Sequence, residues 1–141
     1  MKREASAVWQ GDLKTGSGAL TTKSRVLTST PYSFHTRFED GTGTNPEELI
    51  GAAHAGCFSM ALSKILDEAG LTPERIETDA TVSLDQVEGG FAITGVHLSV
   101  RVKSPGASED RFKECADAAK AGCPVSKVLN ADITMDAVLE Q

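Results

Sequence analysis

The feature that most constrains this chain is an apolar stretch at residues 44–70, which has helical spacing and one cysteine near its middle. Asn45 is a good N-cap, and Pro46 suits the first helical position because its missing N–H would have no partner there. Glu48 follows the cap by three residues, as in a capping box with Asn in place of Ser or Thr. Gly70 is a plausible end. The stretch therefore predicts one long helix.

The middle of this helix, residues 49–62, is apolar on nearly all faces. A helix of that kind is usually central and covered on more than one side. His54 and the flanking charges interrupt the apolar run, and we consider the run too short to span a membrane. We therefore expect a core helix and no membrane insertion.

Alternating and amphipathic patterns fill the rest of the chain. Strands are predicted at residues 5–12, 18–28, 31–38, 76–87, 93–102 and 131–139, and further helices at 109–121 and 124–130. A parity slip at Gly95 suggests a bulge in the hairpin of the fourth and fifth strands. Runs of strands joined by hairpins predict an α+β fold, with an antiparallel sheet packed around the long central helix.

Composition and charge narrow the class of protein. A length of 141 residues suits a single domain, 1–141. The net charge of −6 and the lack of a Lys/Arg-rich run argue against nucleic-acid binding. The N-terminus has charge but no apolar signal segment, so we expect a cytoplasmic protein. In that compartment the three cysteines are not expected to form structural disulfides.

The cysteines are the main candidates for chemistry, because the familiar catalytic motifs are absent. There is no phosphate-binding loop and no nucleophile elbow. His35, His54 and His97 lack paired ligand spacing, so we predict no metal site.

The three cysteines differ in their surroundings. Cys57 could be a buried small hydrophobe of the apolar helix. Cys115 lies on an amphipathic stripe and is best interpreted as core. Cys123 follows a helix-breaking glycine and precedes Pro124, a helix N-terminal position that stabilises a thiolate, although a weak N-cap substitute would look the same.

Two cysteine motifs make the chain resemble a known family. NPEELIGAAHAGCFSMALS and KAGCPVSKVL, with TRFEDGTGTNPEEL leading in, resemble the OsmC/Ohr family of osmotically inducible and organic hydroperoxide resistance proteins. The similarity runs over essentially the whole chain. The resemblance implies a cysteine-dependent peroxidase that acts on organic hydroperoxides, and on hydrogen peroxide more weakly. It also implies an intertwined homodimer, no metal or flavin, and an external dithiol reductant, with a dihydrolipoyl protein suggested by the Ohr branch.

The resemblance also assigns residues. Cys57 becomes the peroxidatic thiol, Cys123 the resolving thiol, and Arg37 and Glu47 complete the site. A guanidinium near sulfur lowers a thiol pKa and can bind peroxide oxygens, and a carboxylate can orient it by a bidentate pair. At 100° per residue Glu48 faces away from Cys57, so we assign it to capping.

Helix rise raises a question about this site. Ten helical residues advance about 15 Å, too far for Glu47 to reach the Cys57 of its own helix. Either the helix kinks near Gly51 or Gly56, or a second chain supplies Arg37 and Glu47. We favour the second chain.

An apolar pocket beside Cys57 would favour alkyl or lipid hydroperoxides. Candidate lining residues are Phe34, Phe38, Ile50, Phe58 and Met60, each of which could equally be plain core. His54, one turn before Cys57, is best interpreted as a packed interface histidine. Two other functions stay open: a dimer that binds a hydrophobic ligand with non-catalytic thiols, and a purely structural dimer.

Overall fold

The computed structural model describes residues 1–141. The chain divides into two compact units, Met1–Leu49 and Ile50–Gln141. That the whole chain makes up one domain stays a prediction.

The first unit contains a three-stranded antiparallel sheet in the order β1-β2-β3. Its strands are β1 Ala5–Gln10, β2 Ser17–Thr22 and β3 Thr30–Tyr32. The second strand is shorter than predicted, because Thr22 N–H donates to Leu27 carbonyl at 3.0 Å and folds the chain into a turn.

The predicted strand over residues 31–38 is correct as far as Tyr32 and wrong beyond it. The chain leaves the sheet after Tyr32 and forms a short helix, α1 Phe34–Phe38. The cause is local: the Ser33 hydroxyl accepts from Thr36 N–H, and the Thr36 hydroxyl accepts from Ser33 N–H. Such a capping box satisfies the backbone groups of a helix start and competes with strand pairing.

The long helix is α2, Pro46–Glu68, with 23 residues and no break. Asn45 Oδ1 accepts the Glu48 N–H at 2.8 Å, as an N-cap should. The Glu48 carboxylate accepts from the Thr44 hydroxyl at 3.4 Å, in place of the expected return bond to the cap backbone. Gly70 has a positive φ of 75°, so the predicted stop is confirmed.

Within the second unit, α2 buries one face. The fully buried members of that face are His54, Phe58, Leu62 and Leu66. Residues on the opposite face, including Ala52, Gly56 and Met60, are exposed. The expectation that α2 is covered on more than one side is therefore not met within a single chain.

By length and composition alone, α2 is long and apolar enough to cross a membrane. The objection that the stretch is too short is therefore wrong. The finding is weak support for insertion, since the core helix of a soluble protein passes the same test.

The second unit contains a mixed three-stranded sheet in the order β4-β5-β6. Strands β4 Arg75–Val87 and β5 Gly90–Lys103 form the predicted hairpin, and the register slips between Ser83 and Leu84, opposite Gly95. The predicted bulge is confirmed. Strand β6 Asp132–Glu140 runs parallel to β5, contrary to the expectation of a purely antiparallel sheet.

Two helices explain the parallel strand. Helices α3 Glu109–Gly122 and α4 Pro124–Val128 follow β5 and return the chain so that β6 starts at the same end. Phe112, Cys115, Ala116 and Ala119 form the buried stripe of α3, so Cys115 is a core residue. The α+β class with one long helix is confirmed.

Candidate active site

Arg37 and Glu47 form an ion pair inside the first unit. Arg37 Nη2 donates to Glu47 Oε1 at 2.7 Å, and Arg37 Nε lies 3.1 and 3.2 Å from the two carboxylate oxygens. The Glu47 side chain is 10% exposed and that of Arg37 is 38% exposed. The carboxylate thus fixes the guanidinium in one orientation and leaves part of it open for another partner.

The backbone around this pair is tied together by a few polar contacts. Asn45 Nδ2 donates to the Thr36 carbonyl at 3.0 Å, which links α1 to the start of α2. Thr44 N–H donates to the Pro31 carbonyl at 3.0 Å. Gly43 has a φ of 135°, and a Cβ there would collide with that same Pro31 carbonyl, so only glycine fits this turn.

An apolar cavity of about 280 Å³ opens beside the guanidinium. Its lining residues are Trp9, Leu13, Tyr32, Ser33, Phe34, Arg37, Phe38 and Pro46. The pocket was predicted beside Cys57, which does not line this cavity. Of its five predicted residues, Phe34 and Phe38 line the cavity, whereas Ile50 does not. Phe58 is wholly buried in the core of the second unit, and Met60 is 77% exposed. The predictions for Phe58 and Met60 took helical neighbours of Cys57 for its pocket, although they point to other sides of α2.

Cys57 and Cys123 meet inside the second unit. Their Sγ atoms lie 3.0 Å apart and share a hydrogen bond, and both thiols are free. Cys57 is half-buried on α2, and Cys123 is fully buried at the junction of α3 and α4. A separation this short allows a disulfide to form with little movement of either segment.

The surroundings shift the pKa values of the two thiols in opposite directions. Burial raises the pKa of the Cys57 thiol, the hydrogen bond and charge of Cys123 raise it further, and Val125 N–H acts against them. Burial also raises the pKa of Cys123, but its hydrogen bonds with Cys57, with Ser126 N–H and O–H, and with Val125 N–H outweigh burial, so the pKa of Cys123 is lowered. The Val125 and Ser126 N–H groups belong to the start of α4, so this helix start favours a thiolate at Cys123, as the sequence predicted.

His54 and Ser126 extend this cluster. His54 Nε2 lies 2.7 Å from Ser126 Oγ, and burial lowers the pKa of the imidazole. His54 is packed, as expected, but the single chain buries it completely, so it is a core residue and not an interface residue. Ser126 was not a sequence candidate; its position three residues after Cys123 was the available signal.

Comparison with known proteins identifies the family. The family model described as OsmC-like protein matches residues 39–137. The chain is also 57% identical over 134 residues to Peroxiredoxin OsmC of Escherichia coli strain K12, covering 95% of this chain and 94% of that protein. This chain belongs to the OsmC family.

Similarity of this OsmC-family protein extends to the Ohr branch. It is 33% identical over 122 residues to Organic hydroperoxide resistance protein OhrB of Bacillus subtilis strain 168, covering 84% of this chain and 88% of that one. The crystal structure of Bacillus subtilis OhrB superposes with a TM-score of 0.71 at 27% identity, covering 96% of this chain and 98% of that chain. The OsmC/Ohr resemblance of the sequence is therefore confirmed.

Proposed function

We propose that this OsmC-family protein reduces organic hydroperoxides to alcohols with Cys57 as the attacking thiol and Cys123 as the resolving thiol. The chain is a thiol-based peroxidase, since it is 57% identical to a peroxiredoxin over nearly its whole length. The observation that carries the residue assignment is the 3.0 Å separation of the two sulfur atoms.

The proposed cycle has three steps. The Cys57 thiolate attacks the distal oxygen of R–O–O–H, the O–O bond breaks, and the departing alkoxide takes a proton, leaving a sulfenic acid on Cys57. The Cys123 sulfur then attacks the Cys57 sulfur, the S–O bond breaks, and water leaves as the disulfide forms. An external dithiol, for which a dihydrolipoyl group is our candidate, regenerates both thiols by exchange.

Arg37 is proposed to activate the first step. A Cys57 thiol of raised pKa is mostly protonated at neutral pH and needs a positive charge to ionise. Full ionisation of a free thiol adds only about ten- to thirtyfold in rate, so the larger part must come from holding the peroxide and stabilising the departing oxygen. A guanidinium held by Glu47 and still partly open suits both tasks.

The cavity beside Arg37 supports the substrate class. Its walls are mostly aromatic and aliphatic, and the guanidinium is the cationic group among them. An alkyl chain would gain from burial there, while the peroxide oxygens could accept hydrogen bonds from Arg37. Hydrogen peroxide lacks the apolar part, so we expect it to be the poorer substrate.

A second copy of this chain is the proposed partner. Met60 is 77% exposed in the middle of α2, and all six residues of β1 are exposed. Because apolar helix faces and bare strands of this kind are usually buried, association of two chains would stabilise both. Helix α2 is unbroken, which gives no support for a kink that would bring Glu47 to the Cys57 of its own helix. We therefore propose that Arg37 and Glu47 serve the partner's Cys57.

Peroxiredoxin-type enzymes need no cofactor, and we propose no metal or flavin for this protein. A cytoplasmic location and a lack of nucleic-acid or membrane partners stay predictions. The alternative function, a hydrophobic-ligand-binding dimer with non-catalytic thiols, is not favoured, because it leaves the adjacent pair of free thiols without a role.

Mass spectrometry after a single oxidation tests the proposal. Reduced protein is mixed with one equivalent of tert-butyl hydroperoxide and digested without reductant. We expect a peptide pair joined through Cys57 and Cys123, with Cys115 still a free thiol. Recovery of all three thiols unmodified would overturn the proposed function.

A further inference from the structure

His54 is a buried titratable group to which the proposed cycle gives no task. Its side chain is fully buried, and Nδ1 has no hydrogen-bond partner, while Nε2 contacts Ser126 Oγ at 2.7 Å. Burial lowers the pKa of the imidazole, so the ring is neutral at physiological pH and carries its proton on only one nitrogen.

The unpartnered nitrogen decides which tautomer is present. A buried N–H without an acceptor costs the desolvation of a donor, and such orphaned donors are rare in proteins. A bare lone pair on Nδ1 is the less costly arrangement, so the proton belongs on Nε2. His54 therefore donates to Ser126 Oγ, and the Ser126 hydroxyl proton is left free to point elsewhere.

Ser126 is placed to donate a hydrogen bond from that hydroxyl to the resolving cysteine. Cys123 is the N-cap of α4, and Ser126 is the third residue of that helix. Side chains three residues apart at the start of a helix are neighbours, so the Ser126 hydroxyl can approach the Cys123 sulfur. Consistent with this geometry, the Ser126 hydroxyl is among the donors that lower the pKa of Cys123.

We propose that His54 and Ser126 are positioning residues for the second half-reaction, in which His54 orients the Ser126 hydroxyl so that it donates to the Cys123 sulfur as that sulfur attacks oxidised Cys57. The inference rests on the proposed roles of the two cysteines and adds the groups that set the rate of disulfide formation.

The chemistry balances without a further reagent. The Cys123 thiolate supplies an electron pair to the Cys57 sulfur, the S–O bond breaks, and the hydroxide takes up the proton that Cys123 gave to solvent. Ser126 and His54 exchange no net proton. They stabilise the attacking thiolate through a hydrogen bond to a charged acceptor, which is stronger than a neutral one.

The same hydrogen bond has an opposite effect on the first half-reaction. In the reduced enzyme the cysteine pair shares its negative charge, and a donor to Cys123 draws that charge away from Cys57. Removing the donor should therefore slow disulfide formation without slowing peroxide attack. A general loss of structure would slow both steps.

Rapid-quench kinetics with dimedone trapping measures the two steps separately in wild type and in Ser126→Ala. We expect sulfenic acid to form at least as fast in the variant and to convert to disulfide at least fivefold more slowly. With excess hydroperoxide, more Cys57 should pass to sulfinic acid, because the sulfenic acid persists. Ser126→Thr keeps a hydroxyl and should restore the rate of resolution. His54→Leu should resemble Ser126→Ala, and His54→Gln, which keeps an N–H donor, should lie in between.

Ser59→Ala is the matched control. Ser59 Oγ, on the same helix α2, lies 2.8 Å from Thr78 Oγ1 of β4, and this part-buried hydroxyl pair does not include a sulfur. Its removal should leave the partition between disulfide and sulfinic acid unchanged. Disulfide formation at the wild-type rate in Ser126→Ala would overturn the inference, whereas a wild-type enzyme that forms no Cys57–Cys123 disulfide would overturn the proposed function instead.

Discussion

The sulfur atoms of Cys57 and Cys123 lie 3.0 Å apart, although 66 residues separate them along the chain. The long helix α2 carries the first, and the break between α3 and α4 carries the second. Packing of these helices in one core therefore assembles a thiol pair that neither segment could form alone. We derive the following expectations from this pair and from the Arg37–Glu47 pair.

The three cysteines should respond differently to substitution. Cys57→Ser should abolish consumption of tert-butyl hydroperoxide, because a serine hydroxyl is not ionised at neutral pH. Cys123→Ser should oxidise once and then accumulate sulfinic acid. Cys115→Ala is the control and should keep turnover, with stability lowered by about 1 kcal/mol from loss of a buried sulfur. Turnover by Cys57→Ser, in a coupled dithiol assay, would contradict the assignment.

Removing the resolving thiol should lower the pKa of Cys57. The hydrogen bond and the charge of Cys123 both raise it, so Cys123→Ala leaves burial as the main raising cause. The midpoint for iodoacetamide alkylation of Cys57 should therefore move to lower pH than in wild type. Peptide mass spectrometry across a pH series measures it, and an unchanged or higher midpoint would show that the two thiols are not electrostatically coupled.

Two neighbouring glutamates provide a matched pair for the Arg37 site. Glu47→Gln removes the charge that orients Arg37, and we expect kcat/KM for an alkyl hydroperoxide to fall about tenfold or more. The free energy of unfolding should fall by only about 1 kcal/mol, because water partly screens the ion pair. Glu48→Gln alters only an exposed side chain near the cap and should stay close to wild type in both measurements. Equal effects at the two positions would remove the special role of Glu47.

Association of two chains should depend on the exposed face of α2. Met60→Glu places a charge where a second copy is proposed to pack, so we expect a shift toward monomer in sedimentation at micromolar concentration and a parallel loss of activity. Met60→Leu preserves the apolar character and should remain dimeric. Full peroxidase activity from a monomer at nanomolar concentration would contradict the shared site.

Local signals were sufficient for most elements of secondary structure. The Asn45 cap, Pro46 and Gly70 delimit α2 through interactions within a few residues, and the structure follows them closely. The thiolate-favouring start of α4 was predictable for the same reason, because backbone N–H groups adjoin Cys123 in sequence.

Competing local contacts and long-range strand pairing account for the elements that the sequence predicted wrongly. Residues 31–38 alternate like a strand, but the reciprocal bonds of Ser33 and Thr36 start a helix at Phe34, so that a helix and not a strand carries Arg37. The direction of β6 depends on where α3 and α4 return the chain, and no pattern within β6 encodes that.

The amino-acid sequence by itself determined the helix, its caps, the chemical types at the candidate site and the family to which they belong. Tertiary structure alone decided that Cys57 and Cys123 are neighbours, that Glu47 pairs with Arg37, and that His54 contacts Ser126. The physical reason is the distance along the chain between the groups that interact. Caps and helical faces depend on groups a few residues apart, whereas pKa values and reactive contacts depend on burial and on partners that only packing of distant segments brings together.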